Sequence, residues 1–99
     1  MPSKVTVHSE HTSPDGRYIA TAFDQDSGAT TSWSPQVDLR PVGQSLDKNG
    51  NVFIGYGSPN IDAKWLSSSQ LVVYIDTNCE VDLHATNYYG IAVELRYNK

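Results

Sequence analysis

Ninety-nine residues suffice for one domain with a single modest core, and they exclude a core plus a separate substrate domain. Charged residues make up 18% of the chain, below the ~25% usual for soluble domains, so Ser, Thr, Asn and Gln supply much of the polarity; aromatics at 10% and many β-branched residues exclude global disorder. The net charge is −4 and the seven basic residues are dispersed, which leaves no positive stripe for nucleic-acid phosphates or an anionic membrane but suits a basic protein partner.

In chain order, Val5 and Val7 alternate with polar residues, and residues 17–23 read as a strand with Ile19, Thr21 and Phe23 on one face and Tyr18, Ala20 and Ala22 on the other. Between them Ser13-Pro-Asp-Gly16 carries turn chemistry: Pro presets φ, Asp bonds local backbone and Gly accepts a positive φ. Residues 3–11 and 17–25 are therefore expected to form an antiparallel hairpin. A polar loop over 26–35 holds one large aromatic, Trp33. Residues 36–40 alternate again, and Asn49-Gly50 predicts a tight hairpin turn at 48–51 leading into a strand over 52–56. Strands are further expected at 61–66, 71–75, 80–84 and 91–97, while 59–66 and 84–90 leave room for a single helical turn. No helical period of ten or more residues is present.

Seven to eight short strands spaced by turn signals predict an all-β fold, a small antiparallel β-sandwich or flattened barrel. Its expected core is Val5, Val7, Ile19, Phe23, Val37, Leu39, Ile54, Trp65, Leu71, Val73, Ile75, Leu83, Ile91, Val93 and Leu95. Ser13-Pro-Asp-Gly-Arg-Tyr-Ile-Ala-Thr resembles the blade entry of WD-repeat propellers of the periplasmic TolB type, and residues 65–74 resemble a degenerate second copy. A closed propeller needs about four blades of ~40 residues. This length holds two, so the echo implies two related strand-turn-strand units.

Ser13-Pro-Asp-Gly-Arg-Tyr, Gly28-Ala-Thr-Thr31, Asn51-Val-Phe-Ile and Lys64-Trp-Leu with Leu71-Val-Val-Tyr together resemble small uncharacterised bacterial proteins that share a Gly-Ala-Thr-Thr motif after a Ser-Pro-Asp-Gly hairpin. The resemblance covers roughly residues 12–96. It implies a fold and an exported or lipid-anchored location rather than an activity. Such relatives often carry Cys or Gly directly before the motif; Ser27 stands there in this chain, so a disulfide at that site cannot form.

Cys79 is the single cysteine, so no intramolecular disulfide is available and packing alone must hold the fold. Met1–Val7 shows neither an apolar signal core nor a lipobox cysteine, and the longest apolar run, residues 71–75, has strand length. The expectation is a cytoplasmic protein with no membrane insertion; the alternative is a periplasmic or envelope domain whose export segment has been removed.

The chemistry-bearing patterns are incomplete. Asp24-Gln-Asp26-Ser-Gly28 resembles half a calcium loop, but the position that needs Glu is Pro35. His8 and His11 face opposite sides of a strand and would need Cys79, Glu80 or His84 to complete a zinc site. Serines lack a nucleophile elbow, and Gly55-Tyr-Gly-Ser-Pro59 lacks the following helix of a phosphate cradle. No context supports a Cys79–His84 dyad, and Asp24/Asp26 and Glu80/Asp82 each lie on one strand face rather than across a cleft. The reading is a non-enzymatic protein without metal or cofactor.

The best binding candidate is the loop with Thr30, Thr31 and Trp33, flanked by Asp24 and Asp26: an aromatic anchor with adaptable hydroxyls beside outward-pointing carboxylates that would steer a basic protein. The alternative is that Trp33 folds back to plug the sandwich end. Tyr88-Tyr89 before Gly90 poses the same question. An acidic inhibitor or immunity-type protein that sterically blocks a toxin or other effector fits these features; a soluble domain of an exported or lipid-anchored envelope protein is the alternative.

Overall fold

A computed structural model describes residues 4–26, 33–46, 50–58 and 60–98, with Lys4 and Asp26 described through their backbone alone. The period-two alternation becomes nine strands and no helix among these residues: β1 Lys4–Thr12, β2 Tyr18–Asp26, β3 Trp33–Pro41, β4 Phe53–Tyr56, β5 Ile61–Ser67, β6 Gln70–Asp76, β7 Glu80–His84, β8 Asn87–Tyr88 and β9 Ile91–Asn98. They form two sheets, ordered β1-β2-β3-β4-β7 and β5-β6-β9-β8, so the chain is an all-β, sandwich-like domain. All neighbours are antiparallel except β6 and β9, which run parallel. The segments expected to allow a helical turn hold β5 and the β8–β9 hairpin instead.

The first turn follows from its residues. Ser13 Oγ donates to Asp15 Oδ1 at 2.6 Å, Arg17 N donates to the same carboxylate oxygen at 3.2 Å, and Gly16 sits at φ +75°. The two echoed units, β1–β2 and β5–β6, fall one in each sheet. They meet at a corner where Ser9 Oγ donates to Asp62 Oδ1 at 2.7 Å and Trp65 Nε1 donates to His11 O at 2.9 Å.

The core between the sheets draws Val37, Leu39 and Phe53 from one side and Leu71, Val73, Ile75, Ile91 and Val93 from the other. On β2 the expected face is reversed. Ala20 and Ala22 point between the sheets, and their methyl groups leave space for β5; Phe23 is buried on the opposite face with Thr21. On β1 a bulge at His8 separates the Val7–Phe23 pair from the Ser9–Ala22 pair, so Val5 and Val7 lie with Phe23 on the outer face and Val7 is exposed. Leu83 is exposed as well, paired with Ile54 on that side. Ile19, Ile54, Trp65 and Leu95 are only partly buried.

That outer face carries a buried charge network. Arg40 donates to Thr21 Oγ1, Asp38 Oδ2 and Glu10 Oε2 at 2.8, 3.1 and 3.0 Å, and its Nε donates to Gln44 O at 3.0 Å. Gly50 N donates to Gln36 Oε1 at 2.7 Å. The start of β4 is thus held along β3, and the Asn-Gly hairpin expected at 48–51 falls partly on residues outside the described set. The innermost described β3–β4 pair is Val37–Phe53, and the Asn51 side chain satisfies both backbone groups of Leu39 at 2.8 Å each; residues 47–49 lie outside the described set. The tight two-residue turn occurs at Tyr89-Gly90, with φ +55° and +78° between the Tyr88–Ile91 pair.

Candidate functional site

Residues from several strands converge at the end of the sandwich where β2 and β3 approach their connecting loop. Trp33 pairs with Asp26 across the hairpin, and its carbonyl accepts from Gly57 N at 2.9 Å. Ser34 Oγ donates to Gly55 O at 2.9 Å, so the chain leaving β4 is held beside Trp33. The Trp33 side chain is 41% exposed, and Tyr56 beside it is exposed too. Tyr56 pairs with Glu80 at the start of β7.

Asp76 ties the neighbouring segments to this end. Its Oδ2 accepts from Ser58 Oγ at 2.6 Å and from Asn60 Nδ2 at 2.8 Å, and its carbonyl accepts from Cys79 N at 3.1 Å. The Ser58 hydroxyl and then the Asn60 amide hold its carboxyl below the ordinary aspartate value. Asp76 also pairs with Asn98 at the end of β9, which brings the exposed Tyr97 to the same end. Glu80 and Asp82 are exposed on β7 and make no ion pair with any described residue.

The sequence-derived site residues divide sharply. Trp33 is exposed. Thr30 and Thr31 lie outside the described residues, as does the side chain of Asp26. Asp24 does not point outward: it is 3% exposed, with Oδ2 2.5 Å from His8 Nε2 and Oδ1 without a hydrogen-bond partner among the described residues. The cause is parity. Asp24 continues the Ala20–Ala22 face that packs inward, and the bulge at His8 brings an imidazole to it. Tyr56, Tyr97, Glu80 and Asp82 were missed as site residues because each belongs to an ordinary alternating strand, and only the pairing of β4 with β7 and β6 with β9 gathers them.

The remaining candidates have structural partners. His84 Nε2 donates to Val93 O at 3.1 Å, linking the two sheets. Burial pushes the Cys79 thiol above its ordinary value, the reverse of what a nucleophilic thiolate requires. Among the described residues no three His, Cys, Asp or Glu side chains converge as a metal site needs. At the opposite end Tyr89 stacks on Tyr18 with centroids 5.3 Å apart and meets Tyr88 edge-on at 4.4 Å.

No family model, curated protein or solved structure matches this chain.

Proposed function

We propose that this chain is a non-enzymatic protein-binding module, an acidic inhibitor or immunity-type protein that blocks a basic effector with the end carrying Trp33. The observation that carries the reading is the exposure of Trp33 on a backbone fixed by Gly57. A large aromatic held in place loses little freedom on binding, which is the property of an anchor residue. Asp24 does not steer the partner, since a buried carboxylate held against His8 projects little field into solvent. Glu80 and Asp82 take that role from the neighbouring strand.

The test starts with affinity capture by the whole chain from its source cell, followed by kinetics on the isolated partner. Trp33→Ala should raise the dissociation rate by the equivalent of about 2 kcal/mol or more. Changing Glu80 and Asp82 to Gln and Asn should slow association, with the deficit shrinking at high salt. A partner that binds Trp33→Ala as tightly as the parent chain would remove this end from the interface.

A further inference from the structure

Asp15-Gly16 is the only Asp-Gly pair in the sequence, and it is exposed at the tip of the β1–β2 hairpin. The pair has a chemistry of its own. Gly16 has no side chain to shield its amide nitrogen, which can attack the side-chain carboxyl carbon of Asp15. The N–Cγ bond forms, a Cγ–O bond breaks, and the amide hydrogen leaves with the hydroxyl of the acid as water. The product is a five-membered succinimide, which water opens at either carbonyl. Opening at Cγ restores aspartate. Opening at the main-chain carbonyl gives isoaspartate, whose backbone runs through Cβ and Cγ and is one carbon longer.

The native turn opposes ring closure at both reacting groups. Gly16 N donates to Ser13 O at 2.9 Å, so the hydrogen that must leave is engaged and the nitrogen is held in a closed turn. Asp15 Oδ1 accepts from Ser13 Oγ at 2.6 Å and from Arg17 N at 3.2 Å. The Ser13 hydroxyl and then the Arg17 amide hold the carboxyl below the ordinary aspartate value. Ring closure needs the neutral acid, because a carboxylate has no hydroxyl to shed and is a poor electrophile; donors that keep the group ionised deplete the reactive form. Ser13 anchors the arrangement. It is buried, its Oγ also accepts from Tyr18 N at 3.1 Å, and its own N–H donates to Tyr18 O at 2.8 Å.

We propose that Asp15 is a covalent modification site gated by folding: the closed Ser13–Tyr18 turn suppresses cyclisation onto Gly16, and opening of the hairpin tip permits isoaspartate formation. This does not depend on the binding reading above. The change is one-way for the fold. The additional main-chain carbon lengthens the turn, and the displaced carboxylate no longer meets Ser13 Oγ and Arg17 N. β1 then loses the register that brings Glu10 to Arg40 and His8 to Asp24. A chain that stays open is thereby withdrawn from the folded pool, and it becomes a substrate for enzymes that methylate isoaspartyl carboxylates.

The test compares the folded chain, the chain in urea above its unfolding midpoint and a capped peptide of residues 11–19, at neutral pH and one temperature. Isoaspartate is read with an isoaspartate-specific carboxyl methyltransferase and assigned by peptide mapping; isomerisation at Asp15 leaves the mass unchanged, whereas deamidation at Asn49-Gly50 does not. The peptide and the unfolded chain should isomerise at similar rates, and the folded chain at least about tenfold more slowly. The slowing should match the protection of the Gly16 amide against hydrogen exchange, since the same N–H must be released. Ser13→Ala removes the donor to Asp15 and should speed the folded chain by at least about threefold. Gly50→Ala, remote from the turn, should leave the rate within about twofold. If Ser13→Ala does not fold, the exchange comparison on the parent chain carries the same test. Isomerisation of the folded chain at the rate of the peptide would overturn the proposal. So would equal acceleration by the two variants, which would place the protection in global folding, or an absence of isoaspartate at Asp15 in urea.

Discussion

Trp33 and Asp24 lie on the same face of one hairpin, by the Asp24–Pro35 and Asp26–Trp33 pairs, with opposite fates, and neighbouring elements rather than parity separate them: His8 of β1 lies on Asp24, whereas Trp33 begins its strand at the open end. Both were legible as residue types worth following. What could not be read was that the Ala20–Ala22 face packs inward and carries Asp24 with it. Because Trp33 is already 41% exposed, Trp33→Ala should cost less than about 2 kcal/mol of unfolding free energy, against the ~3–5 kcal/mol of a buried tryptophan; a urea curve measures it. Glu10 supplies a pH prediction. Hydrogen bonds from Thr21 and then Arg40 hold its carboxyl below the ordinary glutamate value. A depressed folded-state pKa means that Glu10 contributes stability above its unfolded pKa and loses it as pH falls through the folded one. Urea midpoints should therefore drop on acidification below about pH 4.3, the unperturbed glutamate pKa, and Glu10→Gln should show a shallower decline.

Turn chemistry at the scale of single elements was partly legible. Ser13-Pro-Asp-Gly16 forms the turn its residues specify, because every group needed is local. Asn49-Gly50 carries the stronger hairpin signal, and of that pair the structure describes Gly50, which is held by a contact distant in sequence: its N–H donates to Gln36 Oε1. A Cβ on Gly50 would sit 2.5 Å from Phe53 O and 2.9 Å from Gln36 Cβ, so this glycine permits a close approach. Gly50→Ala should consequently destabilise the domain by about 1–3 kcal/mol, read as a lower urea midpoint with unchanged slope. Tyr89 shows the converse. A bulky residue at φ +55° is strained, and the rings of Tyr18 and Tyr88 against its own are the contacts that offset the strain. Propensity assigns asparagine to such a position; only the tertiary structure supplies a reason for tyrosine.

For the whole molecule, the all-β class and most strand positions were legible because alternation is a local signal, whereas sheet order was not. Nothing local announces that β7 joins the first sheet and β9 the second, and the candidate end is assembled by those two pairings. Cys79 reports on the integrity of that arrangement. It is buried near Gly55, where an added Cβ would lie 2.7 Å from its sulfur. Burial keeps the thiol protonated, so a thiol reagent at neutral pH should label it at a rate that rises in urea in step with unfolding; fast labelling of the native protein would contradict its burial. The parallel β6–β9 pair also sets an order of assembly. β6 finds its first neighbour in the adjacent strand β5, but its second is residues 91–98, and residues 77–90 first visit the other sheet. Until that crossover closes, Leu71, Val73 and Ile75 sit on a two-stranded hairpin with one edge unpaired, a unit that is marginal in water by itself. A folding intermediate in which β9 is undocked would therefore expose the most apolar strand of the molecule, and docking of the eight residues of β9 is what ends the exposure.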